Sequence, residues 1–252
     1  MSVLWKMVGA SVKGTSHDKS GAPCQDSHGA AQAAGFFLGA VADGAGSVSH
    51  AERGSQLAVE AALAHLSGAL TAAAGTMTAD TFKAMFLDAI NAARARLQAE
   101  AAAQSLALSA FSTTLILFAA FANGVAACQV GDGALVVLTA DDAVIAVTRP
   151  PIGEYVNETT FITSEAWEAA AQHAFLPGKV RRAAAFSDGL QQLALKFPDC
   201  EPFAPFFRPL FALVDEAVDP ARATDQLTQF LDSPRINERT DDDKTLLLAG
   251  LN

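Results

Sequence analysis

The sequence predicts an α+β fold, a central antiparallel β-sandwich flanked by helices in four layers, αββα. Three observations predict it. The run Gly35–Ala42 is continuously apolar and stops abruptly at Asp43-Gly44, as expected of a strand covered on both faces. Adjacent hairpin signals imply antiparallel pairing, and two consecutive amphipathic helices need a sheet to cover. Strands and helices do not alternate along the chain, which disfavours a doubly wound parallel sheet.

Val3–Val12 reads as the first strand, followed by a polar, Gly-containing stretch from Lys13 to Gly29. After the Gly35–Ala42 strand, Ser49 with Glu52 forms a capping-box pattern that opens a helix to about Leu70. A second helix is marked by Phe82, Met85, Phe86, Ala89, Ile90, Ala93 and Leu97, which share one face at helical spacing. Strands return at Thr113–Phe121 and Val125–Val130, joined through Asn123-Gly124. Leu135–Thr139 and Ala143–Thr148 form another hairpin about Asp141-Asp142. Pro150-Pro151 begins an irregular segment reaching about Gly178, with polar residues Tyr155–Thr160 that suit an exposed position. Ala183–Phe186 is a short strand, Asp219-Pro220 caps a late helix, and Thr245–Ala249 is the final strand.

The 252 residues carry a net charge of -10 and are 51% hydrophobic, a balance that suits a globular chain with a large core. With no low-complexity linker or repeat, 1–252 reads as a single domain. The acidic balance argues against nucleic-acid and membrane partners. Lys6 interrupts the short apolar run at the N-terminus, so neither a leader nor a span is expected there, and the expected location is the cytoplasm. Cys24, Cys128 and Cys200 lie far apart without a CxxC pair, as expected of free thiols in a reducing compartment.

Carboxylates recur where strands end. Asp43 and Asp188 each follow a strand and precede a glycine, Asp242 and Asp243 precede the last strand, and Asp26 lies in the connection after the first. Packed carboxylates repel one another, and hard divalent cations with oxygen ligands relieve this, which favours Mg²⁺ or Mn²⁺. Two such ions form a device for phosphoester hydrolysis. An Asp-Gly pair is also an ordinary turn, so spacing alone leaves both readings open. The sequence holds no GxSxG elbow, catalytic cysteine signature or Walker A motif.

Six segments in order resemble the motifs of the protein phosphatase 2C family, particularly its compact bacterial branch. They are Gly14-Thr15-Ser16-His17 with Cys24-Gln25-Asp26, Val41–Gly46, Ser112-Thr113-Thr114, Gln129–Gly133, Phe186–Gly189 and Asp242–Thr245, with a further likeness at Glu154–Thr159. The resemblance implies metal-dependent hydrolysis of phosphoserine or phosphothreonine in proteins by water activated at two Mn²⁺ or Mg²⁺ ions, with a third, weaker ion. It assigns Asp43 to both ions, the Gly44 carbonyl to one, Asp26 to the metal-bound water network, Asp188 and Asp242 to the first ion, and Asp132 to the third. Asp243 stands where the family often has Asn and reads as a supporting residue, with Asp242 and Asp243 both kept as candidates for the ligand. The implied partners are phosphoproteins modified by a Ser/Thr kinase.

Two positions depart from the pattern. Gly21 stands where the family commonly has a phosphate-binding Arg, which leaves His17 and Lys19 as candidates for that work. Ala45 stands where many members have a His; His50, near the start of the first helix, is open both as a substitute and as a helix-surface residue with no catalytic role. These departures keep two alternatives open, a degenerate domain that binds phosphoproteins without turnover and a metal phosphoesterase for small molecules.

Overall fold

The computed structural model describes residues 5–18, 21–73, 76–151 and 159–251. Ten principal strands form two five-stranded sheets. These are β1 (Trp5–Val12), β2 (Asp26–Ala33), β3 (Phe36–Asp43), β4 (Leu115–Phe121), β5 (Gly124–Val130), β6 (Ala134–Thr139), β7 (Val144–Thr148), β8 (Gln172–Pro177), β9 (Val180–Phe186) and β10 (Lys244–Leu251). One sheet has the order β1-β10-β9-β6-β7 and the other β2-β3-β4-β5-β8. Every strand pair among the described residues is antiparallel.

Period-two alternation builds the layers. In β10, Leu247 and Ala249 face the interior between the sheets, while Leu246 and Leu248 face outward into a second core. In β3, Phe37 and Val41 point inward, and Leu38, Ala40 and Ala42 point out to a third. Both faces of the central strands are thus apolar, which explains why they read as unbroken hydrophobic runs. Helices α1 (Ala51–Ala72) and α2 (Ala79–Ala103) cover one sheet, and α3 (Ala204–Glu216) and α4 (Pro220–Leu231) cover the other. The layers are αββα, as the sequence predicts.

Thr78 caps α2, its Oγ1 accepting from Thr81 N at 3.2 Å, and Asp219 Oδ1 caps α4 by accepting from Ala221 N at 3.0 Å. The capping box at Ser49 does not form. Helix α1 begins one residue later than that pattern requires, His50 is the N-cap, and the Ser49 hydroxyl lies 2.7 Å from His50 Nδ1 instead. Two further expectations change. The stretch Lys13–Gly29 is not wholly irregular, because β2 starts at Asp26. The segment after Pro150 contains β8, an edge strand paired with β5. Residues 154–158 of that segment, like Val3 and Leu4, lie outside the described residues. No helix among the described residues is long and apolar enough to cross a membrane. All three cysteines are free, with Cys128 and Cys200 buried and Cys24 half-buried.

Candidate metal centre

The site is built at one end of the sandwich, where strand termini converge. Hairpin register brings in the first two carboxylates. Ala34 and Gly35 form a two-residue turn with φ of 51° and 85°, the doubly left-handed geometry that suits the twist of a hairpin. Counting back from that turn sets Asp26 opposite Asp43. The Ser112-Thr113-Thr114 segment then fixes the backbone of Asp43. Asp43 N donates to Thr114 Oγ1 at 2.9 Å, and Asp43 O accepts from Thr114 N at 2.8 Å and from Thr113 Oγ1 at 2.9 Å.

Asp132 sits in a loop tied down by Gln129, whose Nε2 donates to the carbonyls of Gly131, Gly133 and Arg149 at 3.1, 2.6 and 3.2 Å. Thr159 Oγ1 donates to Asp132 Oδ2 at 2.7 Å, and Gln191 Nε2 donates to its carbonyl at 2.5 Å. Asp188 follows β9 on a single turn of 3₁₀ helix. Gly189 next to it is required sterically, because a Cβ there would collide with the Asp243 carbonyl.

One carboxylate oxygen from each of Asp43, Asp132 and Asp188 lies within 4.8 Å of the other two. These residues line a polar cavity of about 230 Å³ with Gln25, Gly44, Ala45, Gly46, Ser47, Thr159, Phe161, Asp242 and Asp243. Asp26 is buried behind it. Ser187 Oγ donates to Asp26 Oδ2 at 2.7 Å, whereas Asp26 Oδ1 and Asp188 Oδ1 are buried without a hydrogen-bond partner. Burial first, and repulsion from neighbouring carboxylates, push Asp26 up to about 7. Burial and Asp132 raise Asp188 to about 6. Asp43 is pushed well above the ordinary carboxylate range by burial, then by Asp26 and Asp188. Burial also raises Asp242. Among the described residues, no Lys or Arg forms an ion pair with these six carboxylates.

Asp242 and Asp243 have different surroundings. Asp243 is 3% exposed, and its Oδ1 and Oδ2 accept from Gly14 N at 2.6 Å and Gln25 N at 2.5 Å. It therefore clamps both ends of the loop that carries His17. His17 Nδ1 lies 3.2 Å from Asp243 Oδ1 and 3.2 Å from the Pro23 carbonyl. Lys19 lies outside the described residues. Gly21 is exposed, with φ of 69°. His50 packs on Phe111, ring centroids 5.0 Å apart. The supporting roles of Gln129, Ser187 and Thr159 were not legible in sequence, apart from the position of all three inside segments that resemble the family.

Residues 13–232 match the model of the family described as protein phosphatase 2C. A protein of Escherichia coli K12 named serine/threonine-protein phosphatase 3 is 39% identical over 257 aligned residues, covering 97% of this chain and 98% of its own. The chain belongs to the protein phosphatase 2C family. Solved structures of bacterial phosphatases share the fold of this family member. The serine/threonine phosphatase Stp1 from Staphylococcus aureus superposes with a TM-score of 0.67 at 14% identity, covering 100% of this chain and 97% of its own. The serine/threonine phosphatase PstP/Ppp of Mycobacterium tuberculosis gives 0.65 at 17% identity, with 99% of both chains covered.

Proposed function

We propose that this protein phosphatase 2C chain hydrolyses phosphoserine and phosphothreonine in proteins, using Mn²⁺ or Mg²⁺ held by the carboxylate cluster. The observation that carries the proposal is the convergence of Asp43, Asp132 and Asp188 oxygens within 4.8 Å in a cavity, with buried carboxylate oxygens left unpartnered. An all-oxygen donor set of this kind suits a hard divalent cation, and a carboxylate cluster forced to hold protons is the expected state of such a site without one.

Asp43, the Gly44 carbonyl, Asp188, Asp242 and Asp132 would hold the ions. Bound there, divalent cations supply charge neutralisation for the phosphoryl oxygens and make water a stronger nucleophile. Asp26, with Oδ2 occupied by Ser187, has Oδ1 left as the acceptor that would hold the water network. Asp243 acts as the loop clamp, since its oxygens are engaged by Gly14 and Gln25. His17, on the clamped loop, and Lys19, two residues later in sequence, are the basic side chains proposed to meet the phosphate in place of the usual Arg. Phosphoproteins from a Ser/Thr kinase are the proposed substrates.

The test is hydrolysis of a phosphothreonine peptide with Mn²⁺, with Mg²⁺ and with chelator, alongside Asp43→Asn. Metal-dependent turnover abolished by that substitution is the expected result. Metal binding without turnover would favour a phosphoprotein-binding role, motivated by Gly21 and Ala45. A higher rate on small phosphate esters than on peptides would favour a metabolite phosphoesterase.

A further inference from the structure

The inward-facing parity of four strands gathers polar residues at the metal end of the sandwich. In β2, Asp26 and His28 share a face with Ala30, which packs on the inter-sheet core. In β10, Thr245 shares the face of Leu247 and Ala249, and its Cα partner in β1 is Ser11. Ser187 continues the inward face of Ala183 and Ala185. In a layer otherwise lined by Phe, Val, Leu and Ala, these side chains have to satisfy one another.

They do so in a chain. His28 Nδ1 lies 2.9 Å from Ser11 Oγ, and Thr245 Oγ1 donates to Ser11 Oγ at 2.7 Å. Ser187 completes the group, donating to Asp26 Oδ2 and accepting from Thr245 N at 3.0 Å. The imidazole has a prepared berth, because a Cβ on Gly9 would come within 2.7 Å of His28 Cδ2 and Nε2.

We propose that His28, Ser11 and Thr245 form a buried hydroxyl relay that positions the Asp26 carboxylate through Ser187, which makes His28 and Ser11 positioning residues of the metal centre although neither lines the cavity. The inference rests on the reading above, in which Asp26 serves bound cations. Each hydroxyl has one proton to give. When Thr245 donates to Ser11, Ser11 donates to His28 Nδ1, and the neutral ring carries its proton on Nε2. The chain thereby fixes the Thr245 side chain, and the Thr245 backbone N–H holds Ser187 Oγ where it donates to Asp26 Oδ2, leaving Oδ1 for the cluster.

The experiment compares Mn²⁺ affinity by calorimetry in the full chain and in His28→Leu, His28→Asn, Ser11→Ala, Thr245→Val and Thr245→Ser. Melting in chelator reports separately on folding. Outer hydrogen-bond partners of metal sites are worth on the order of tenfold in affinity, so the Leu, Ala and Val variants should weaken Mn²⁺ binding by about tenfold, while Asn and Ser, which keep a polar atom in place, stay within about threefold. Ser11→Ala is the smallest change and carries the test should His28→Leu fail to fold. Folded Leu, Ala and Val variants that bind Mn²⁺ like the unsubstituted chain would overturn the relay alone, as would an Asn variant as weak as Leu. Absence of Mn²⁺ binding by the unsubstituted chain would overturn the metal reading and the relay with it.

Discussion

Replacing Asp26 by Asn should stabilise the metal-free protein, and more so at high pH. Asp26 is 6% exposed, one of its oxygens has no partner, and burial among carboxylates raises it from 3.8 to about 7. A folded-state value above the unfolded one means that the folded chain binds more protons, so stability falls as pH rises from about 4 through 7. Relative to a permanently neutral group, the linkage cost of Asp26 is about 2 kcal/mol at pH 5 and about 4 kcal/mol at pH 8, taking 3.8 and about 7 as the two values. Asn is neutral, and its carbonyl oxygen can still accept from Ser187. The advantage of Asp26→Asn over the parent should therefore grow by about 2.6 kcal/mol between pH 5 and pH 8, or roughly 5–10 °C in melting temperature for a chain of this size. The assay is thermal or urea unfolding of both proteins in chelator at the two pH values. Excess Mn²⁺ should reverse the ranking, because the ions neutralise what Asn removes. An advantage that shrinks with rising pH, or a parent that gains stability from pH 5 to pH 8 through this residue, would refute the reasoning.

Three further predictions address the rest of the site. Mn²⁺ at about 100 times its dissociation constant should stabilise the protein by about 2.7 kcal/mol, raising the melting temperature by roughly 5–10 °C, with chelator reversing the shift in a thermal scan. Asp243→Ala should cost about 2–4 kcal/mol in urea unfolding, because Gly14 N and Gln25 N lose their acceptor, whereas Asp242→Asn should leave metal-free stability equal or higher and weaken Mn²⁺ binding in titration calorimetry. Gly189→Ala should cost about 1–3 kcal/mol in chelator, since its Cβ meets the Asp243 carbonyl, which belongs to backbone and cannot swing aside as a side chain would.

How much of this was legible depended on where the local signal was unopposed. Helix α2 and the strands β3 to β7 were legible because two-sided burial makes β3, β4 and β5 almost wholly apolar, and because α2 repeats Phe82, Phe86, Ile90 and Leu97 on its buried face. Asp43 and Asp188 stood out for the same reason, as charges ending apolar runs. Helix α3 was hidden by Pro205 and Pro209, although Phe207, Leu210, Phe211 and Val214 bury one stripe. Strand β8 was hidden by its place at an edge, where only part of each side chain is covered.

Strand β2 is the instructive case. Its sequence, DSHGAAQA, has no β-branched or aromatic residue, and the turn that makes it a strand runs through Ala34 with positive φ, a conformation that Ala seldom adopts. Local propensity therefore argues against β2, and the pairing with β3 overrides it, since β3 is buried on both faces and needs a partner along its edge. Losing β2 in sequence has one consequence for the site. A connection carries Asp26 as an isolated acid, whereas a strand carries it in period two with His28, and register sets it opposite Asp43. Once that register is known, the inward histidine, the Ser11–Thr245 pair across from it and the acid between them follow from parity alone.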